Sequence, residues 1–400
     1  MRLHRKGTVI AASLVVTAVL LAACGDDDDS SSGATTTAAA GGASTTAAGA
    51  TTADLSSICP NPLVVQTDWY PEVDHWELYS VASPEGAEIK GDRVVADMID
   101  PRTRGKTGIK IEIRNGGPAT QFELVTATMY KDPNIFMGYI NTDEAVKFAA
   151  DNPTVAVMAP RETSPQIIMW DPATYPDVTK IADLKAKGVK VRYFKDATYM
   201  DYLTGSGVLD AAQVDDSYDG KPDAFVGANG KDAQQGFATA EPYTYENEIT
   251  QWGKPVKYQL ISDAGYDYYA ESLAVRPETL TKSADCLKAV VPIFQAGVVQ
   301  MQKDPKAIEA FIVDVVAKQN SGWVYGAGVA DAAVKASLAD GIVSNGPDST
   351  VGNFDDAKLA KVIEATNPIL KAKGGTIKED LKPSGIATND YIDTSIGLSK

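Results

Sequence analysis

Nucleophilic and metal chemistry has few places to sit in this chain of 400 residues. It holds two histidines, His4 and His75, and three cysteines, Cys24, Cys59 and Cys286. A Ser-His-Asp or Cys-His constellation needs an imidazole to move the proton, and beyond the N-terminus that imidazole is His75. A zinc site built from several His and Cys ligands is excluded, and no metal or cofactor is expected. Residues suited to non-covalent recognition are more numerous. Trp69 and Tyr70 offer flat aromatic faces for a heterocycle or another planar ligand. His75 is placed to donate to such a ligand or to bridge backbone groups. Asn115-Gly116-Gly117 precedes a helix starting at Pro118, where free N–H groups suit an anion or a carbonyl oxygen; a plain turn is the other reading. Asn141 and Thr142 end a strand and cap the helix that follows. Asp196 and Thr198 open a helix after a strand, where an aspartate favours a ligand amine or ring N–H over a sulfonate, or serves as the cap. Glu241 and Tyr243, a carboxylate beside a phenol, fit the polar edge of a ring, unless Glu241 is an exposed hinge residue.

The elements that must position these groups alternate. Residues 63–69 form an opening strand, and Ile109, Ile111 and Ile113 alternate with Lys110, Glu112 and Arg114 in a half-buried one. Further short strands are predicted at 135–140, 155–158, 166–169, 189–194 and 256–261, with helices between them at 118–130 and 142–150. Such alternation argues an α/β fold with largely parallel sheets. The last third is helical. Asp304-Pro305 is a cap followed by a first-turn proline, with Ile308, Phe311, Ile312, Val315 and Val316 on one face. The preceding helix carries Leu287, Val290, Val291, Phe294 and Val298 and is predicted to kink at Pro292. Asp215 to Gly220 has the acids of a calcium loop, but its twelfth position is Val226 where a bidentate glutamate is required, so a solvated acidic turn is expected.

The N-terminus carries an address. Arg2, Arg5 and Lys6 precede an apolar run over 8–23, which is signal-peptide length and short for a membrane span. Leu21-Ala22-Ala23-Cys24 resembles the lipobox of bacterial lipoproteins. That resemblance implies removal of 1–23 and lipidation of Cys24, hence a place on the extracytoplasmic face of a membrane. Residues 24–57, with Asp26 to Asp29 and then Ser, Thr, Ala and Gly, lack apolar bulk and read as a disordered tether with a reach of roughly 30 Å. The whole chain has a net charge of −16, and losing three basic residues makes it more acidic, which repels phosphate backbones and excludes nucleic acid as a partner. In an exported protein the two remaining cysteines favour a disulfide, with two unpaired buried thiols as the alternative.

A longer resemblance rests on several motifs in order. Asp68-Trp69-Tyr70-Pro71-Glu72-Val73-Asp74-His75-Trp76-Glu77-Leu78-Tyr79 resembles the opening of the NMT1/THI5-like proteins, mostly solute-binding proteins of ABC importers. Asn115-Gly116-Gly117-Pro118, Ser164-Pro165-Gln166, the run from Ile181 to Val191, Gln235-Gly236-Phe237 with Glu241-Pro242-Tyr243, and Thr388-Asn389-Asp390-Tyr391-Ile392 follow in the same order. Glu77 stands where the family has glycine, residues 84–108 are longer than the family's linker, and Asp196-Ala197-Thr198 replaces a Gly-Ser. The cysteine cluster of the fungal pyrimidine synthases is absent.

The resemblance implies a bilobed clamshell of the type II periplasmic-binding-protein kind, two Rossmann-like lobes joined by a two-segment hinge. One lobe would hold 58–160 plus 264–400, the other 161–263, and a ligand would sit between them beyond the strand ends. Cys59 and Cys286 would share the first lobe, which makes their pairing plausible. The implied ligand-binding set is Trp69, Tyr70, His75, Asn115, Gly116, Asn141, Ser164, Asp196, Thr198, Glu241 and Tyr243. The implied function is non-enzymatic: a monomeric, lipid-anchored protein that passes a small organic solute to an ABC permease in the membrane. Asp196 and Glu241 favour a neutral or amine-bearing heterocycle, such as a thiamine-type pyrimidine or a riboflavin-like compound. An aliphatic sulfonate is the alternative ligand, a secreted enzyme using His75 the alternative of another class, and a surface sensor or adhesion module a third.

Overall fold

A computed structural model describes residues 52–399. The expected signal segment, Cys24 and the tether as far as residue 51 lie outside the described residues. The last part of that tether differs from the expectation. Leu55 is fully buried, and its amide donates to the Thr107 carbonyl at 2.7 Å. One leucine in a run of small polar residues is enough to dock the segment.

Twelve strands are present among the described residues: β1 (Leu63–Gln66), β2 (Glu88–Lys90), β3 (Arg93–Ile99), β4 (Lys106–Arg114), β5 (Met137–Ile140), β6 (Val155–Met158), β7 (Gln166–Trp170), β8 (Val191–Arg192), β9 (Val214–Asp215), β10 (Ala233–Phe237), β11 (Lys257–Leu260) and β12 (Ser272–Val275). They form a seven-stranded sheet in the order β2-β3-β4-β1-β5-β12-β6 and a five-stranded sheet in the order β11-β7-β10-β8-β9. The chain passes from the first sheet to the second between β6 and β7, and returns between β11 and β12. These two crossings make the molecule bilobed.

The sheets are mixed, which corrects the expectation of largely parallel ones. β1 runs parallel to β4 and β5, but β12 is antiparallel to both its neighbours, and β7 is antiparallel to β10 and β11. The strands next to each crossing meet their neighbours head to tail because the chain enters each lobe from the other. The long stretch at 84–108 forms the hairpin β2–β3, which extends the first sheet at its edge. Alternation along β4 buries Ile109, Ile111 and Ile113, and Glu112 is buried with them because Arg114 holds it at 2.7 Å and Arg93 at 3.2 Å.

Helices cover the first sheet. Trp76–Val81 packs on the 20-residue helix Ala284–Lys303, which runs through Pro292. Trp76 is fully buried, and its indole N–H donates to the Gly297 carbonyl at 3.0 Å. Cys59 and Cys286 are joined by a disulfide that ties the approach to β1 to this helix. Pro305 opens the next helix, Pro305–Gln319, as expected. The late helix Asp356–Ala372 packs on Thr142–Lys147 of the first lobe and on Thr198–Gly205 of the second, so the C-terminal part touches both. No helix among the described residues is long and apolar enough to cross a membrane.

Candidate functional site

A cavity of about 110 Å³, partly open to solvent, lies between the lobes. It sits beyond the carboxyl ends of β1, β8, β9 and β10, where open α/β sheets place their ligands. Its wall on the first lobe carries Asp68, Trp69, Glu72, Asp74, Glu271 and Trp323; the second lobe adds Phe194, Tyr218, Gln235, Phe237 and Glu241.

The segment after β1 is pinned from below. The Gln66 amide donates to the carbonyls of Thr67 and Asn115, at 3.0 and 2.9 Å, and the Thr67 hydroxyl donates to the Trp69 carbonyl at 2.7 Å. The Gly116 N–H donates to the same carbonyl at 3.0 Å. That amide is therefore spent on the protein and is not free for a ligand, a correction to the expected anion site. The glycine pair has another purpose. A Cβ on Gly116 would stand 2.7 Å from the Asp68 Cα, and one on Gly117, where φ is +55°, would stand 2.8 Å from a ring carbon of Trp69. Two glycines in succession let the indole lie flat on the backbone. The predicted helix at 118–130 is instead a single turn, Gly117–Thr120, and a separate helix, Val125–Lys131. Gln121 and Phe122 interrupt it with left-handed φ values of 56° and 61°, and Phe122 is left exposed 5.9 Å from the Trp69 ring.

The aromatic wall is continuous. Trp69 meets Trp323 edge to face at 6.1 Å and Phe194 across the cleft at 6.5 Å; Phe194 meets Tyr218 at 4.7 Å. Trp323 arrives from far along the sequence. The helix Pro305–Gln319 ends in left-handed Asn320, and the turn brings the Trp323 indole N–H to the Pro71 carbonyl at 3.2 Å. Tyr70 stacks on the outer side of Trp323 at 5.8 Å and does not line the cavity.

The charged wall is dominated by carboxyl groups. Asp68, Glu72, Asp74, Glu241 and Glu271 line the cavity, and no lysine or arginine does. Behind them sits Arg161, 2 % exposed. Its guanidinium lies 2.9 Å from Glu271 and 3.5 Å from Asp74, without the alignment of hydrogen bonds. Asp74 Oδ1 and Glu271 Oε2 thus have a charge nearby but no hydrogen bond. Glu271 holds a left-handed φ of 48°, fixed by the Asn141 side chain, whose oxygen accepts the Glu271 N–H at 2.8 Å. Burial, then the charges of Asp74, Glu271, Asp68 and Glu241, hold Glu72 well above the usual carboxyl range. Burial pushes Glu241 up to about 7, against the Phe237 N–H that donates to it at 2.6 Å. Burial raises Glu271 as well, with Arg161 acting the other way.

His75 closes the short 3-10 helix Val73–His75 and is fully buried. Its Nε2 lies 3.3 Å from Asp68 Oδ1, and its Nδ1 has no partner. Among the described residues no hydroxyl or thiol hydrogen-bonds to it. It positions Asp68 and does not line the cavity. Asp68, His75 and Glu271 each bring one ligand atom within 4.8 Å of the others, enough for a metal ion, but the Arg161 guanidinium against Glu271 opposes a second cation there.

Of the predicted set, Trp69 and Glu241 line the cavity. Asn115 is buried behind it, its side-chain N–H donating to Gln319 at 2.8 Å. Thr142 and Ser164 are buried; Thr142 exchanges hydrogen bonds with the Tyr269 backbone, and the Ser164 hydroxyl accepts the Gln166 N–H at 3.3 Å. Asp196 is exposed at φ 63°, and the helix Thr198–Gly205 is preceded by Ala197 in the cap position, so Asp196 is neither cap nor cavity wall. Thr198 lies away from the cavity with it. Tyr243 packs its hydroxyl on Gly328 of the first lobe. Nothing local in the sequence marks residues 194, 271 and 323, whereas Tyr218 belongs to the acidic turn 215–220 and is buried against the cavity, not solvated with its neighbours. Glu72 and Asp74 lay inside the motif that carried the resemblance, and their acidity beside Trp69 was the available signal.

No family model matches the chain, and no curated protein does. Solved structures do. The periplasmic aliphatic sulphonate binding protein SsuA from Escherichia coli superposes with a TM-score of 0.53 at 14% identity, over 86% of this chain and 95% of that one. SsuA from Xanthomonas axonopodis pv. citri, bound to MOPS, gives 0.50 at 13% identity, over 82% and 100%. A putative sulfonate-binding SsuA from Methylobacillus flagellatus KT gives 0.51 at 13% identity, over 83% and 93%. The fold is therefore that of the periplasmic binding proteins, a bilobed α/β clamshell.

Proposed function

We propose that this chain is the extracytoplasmic solute-binding component of an ABC importer, capturing a small planar organic solute and presenting it to a membrane permease. The supporting observation is the cavity itself: aromatic faces and carboxyls from both lobes converge on one space at the strand ends. The likeness in fold to sulfonate-binding importer components supports the transport role. Within this reading the protein belongs to the branch that takes nitrogen heterocycles, acts as a monomer, is anchored through Cys24, and has lobes of 58–160 plus 264–400 and 161–263. A row of carboxyls with no lysine or arginine on the wall disfavours a sulfonate by like-charge repulsion. The isolation of His75 from any nucleophile favours binding over catalysis.

A thermal-shift and tryptophan-fluorescence panel of heterocycles and alkanesulfonates tests the proposal. Nitrogen heterocycles are expected to raise the melting temperature and quench Trp69 and Trp323; a response to sulfonates alone would overturn the heterocycle reading.

A further inference from the structure

We infer that the cavity takes an organic cation bearing N–H donors, its charged end at Glu72 and its flat body against Trp69, Trp323 and Phe194. This rests on the solute-binding reading and fixes the charge of the solute, which the fold does not.

The wall holds more acids than partners for them. Five carboxyls line one small space, and the side chain set behind them supplies one permanent cation, Arg161. Glu72 is half-buried, and its carboxyl makes no hydrogen bond or ion pair among the described residues. Asp74 and Glu271 are 5 % and 4 % exposed and share the one Arg161 guanidinium, which faces Asp74 Oδ1 at 3.5 Å and Glu271 Oε2 at 2.9 Å. Buried polar atoms are ordinarily paired, and groups left open at a cavity wall are the ones a ligand completes. Open acceptors on Glu72, amid four further carboxyls and no lysine or arginine on the wall, call for a donor that carries positive charge: an ammonium, amidinium or guanidinium, which forms the short charge-assisted bonds of this kind. A quaternary ammonium would cancel charge but leave the Glu72 acceptors empty. The aromatic faces opposite suit the same ligand, since a cation near an indole or phenyl face is held by the ring's quadrupole. An anion would meet five carboxyls and no lysine or arginine on the wall.

Three probes with one ring and three charges test this: benzamidine, benzamide and benzenesulfonate, titrated into the purified protein with tryptophan quenching and calorimetry as readouts. Benzamidine is expected to bind at least about tenfold more tightly than benzamide, and benzenesulfonate not to bind. Glu72→Gln is expected to cost benzamidine about tenfold and leave benzamide unchanged. Because the Glu72 carboxyl holds no partner, this variant should fold; an unchanged or raised melting temperature verifies that, and Glu241→Gln is the second variant for the same comparison. Benzamide binding as well as benzamidine, or Glu72→Gln without effect on benzamidine, overturns the inference. If benzamide or benzenesulfonate quenches and Trp69→Ala abolishes that quenching, while benzamidine binds no better, the charge inference falls and the solute-binding reading stands. If neither these probes nor the heterocycle and sulfonate panel binds, both fall.

Discussion

The two walls of the cavity are built from different chemistry. Four of its five carboxyls, Asp68, Glu72, Asp74 and Glu271, stand on the first lobe, together with both tryptophans. The second lobe contributes Phe194, Tyr218, Phe237, the amide of Gln235 and a single acid, Glu241. Charge on the first lobe is organised from behind, by Arg161 under Glu271 and Asp74, His75 beside Asp68, and Asn141 under the strained backbone of Glu271. The second wall is held differently: the Gln235 side-chain oxygen accepts the Phe194 N–H at 2.7 Å, and the ion pairs of Arg192 with Asp215 and Asp232 stand outside the cavity lining. Under the proposed function, the first lobe would select the solute and the second would cover it on hinge closure.

The comparison breaks first at Arg161. Arg161→Ala leaves Glu271, Asp74 and Glu77 buried without a counter-charge, and should cost about 3–5 kcal/mol of stability in urea unfolding. Adding Glu271→Gln to that variant should recover part of the loss. No second-lobe wall substitution should approach this cost.

A subtler change on the same wall is Gly117→Ala. The new methyl meets the Trp69 ring at a positive φ, so the indole must move. Solute affinity should fall about tenfold with a stability loss of about 1 kcal/mol, read by calorimetry and thermal melting. If affinity survives, Trp69 is a wall of the cleft and not a contact.

Phe194→Ala probes the other side. It should raise the solute dissociation rate by about threefold to tenfold and barely change the melting temperature, as measured by stopped-flow fluorescence. An equal loss in association rate would mean that both walls engage together, erasing the proposed order.

The smallest effect is in pH. Burial pushes Glu144, Glu162 and Glu241 each up to about 7. Their folded values exceed the unfolded ones, so the folded chain holds protons that the unfolded chain has released. Stability contributed this way is complete below about pH 4.5 and is lost as pH rises through about 7. Without solute, the melting temperature should be a few degrees higher at pH 5 than at pH 8. Glu241→Gln should flatten part of that slope.

Much of the fold was legible because its signals are local. The strand predicted at 155–158 matches β6, and the period-two run of isoleucines falls in β4. β12 and the hairpin β2–β3 were not read: the first is four residues without alternation, and the second lay in a stretch recognised only as extra length. The site was legible where the chain itself gathers it, at Asp68 to His75. Elsewhere it is assembled from positions far apart. Asp196 was favoured for its charge, but β8 ends at Arg192, and Phe194, two residues earlier, is the side chain at the cleft. Charge marks a residue in sequence, whereas the length of a strand decides which residue stands at its end.

The disulfide between Cys59 and Cys286 also sets a path for force. β1 is four residues long and ends at the segment that carries Asp68 and Trp69. A pull on the chain ahead of Cys59 would, without the bridge, load β1 and peel it from β4 and β5. With the bridge, the load passes at Cys59 into the long buried helix Ala284–Lys303, which spreads it over the packed core. The strand that holds the binding wall is mechanically bypassed, so the cavity can keep its shape while the molecule is under tension.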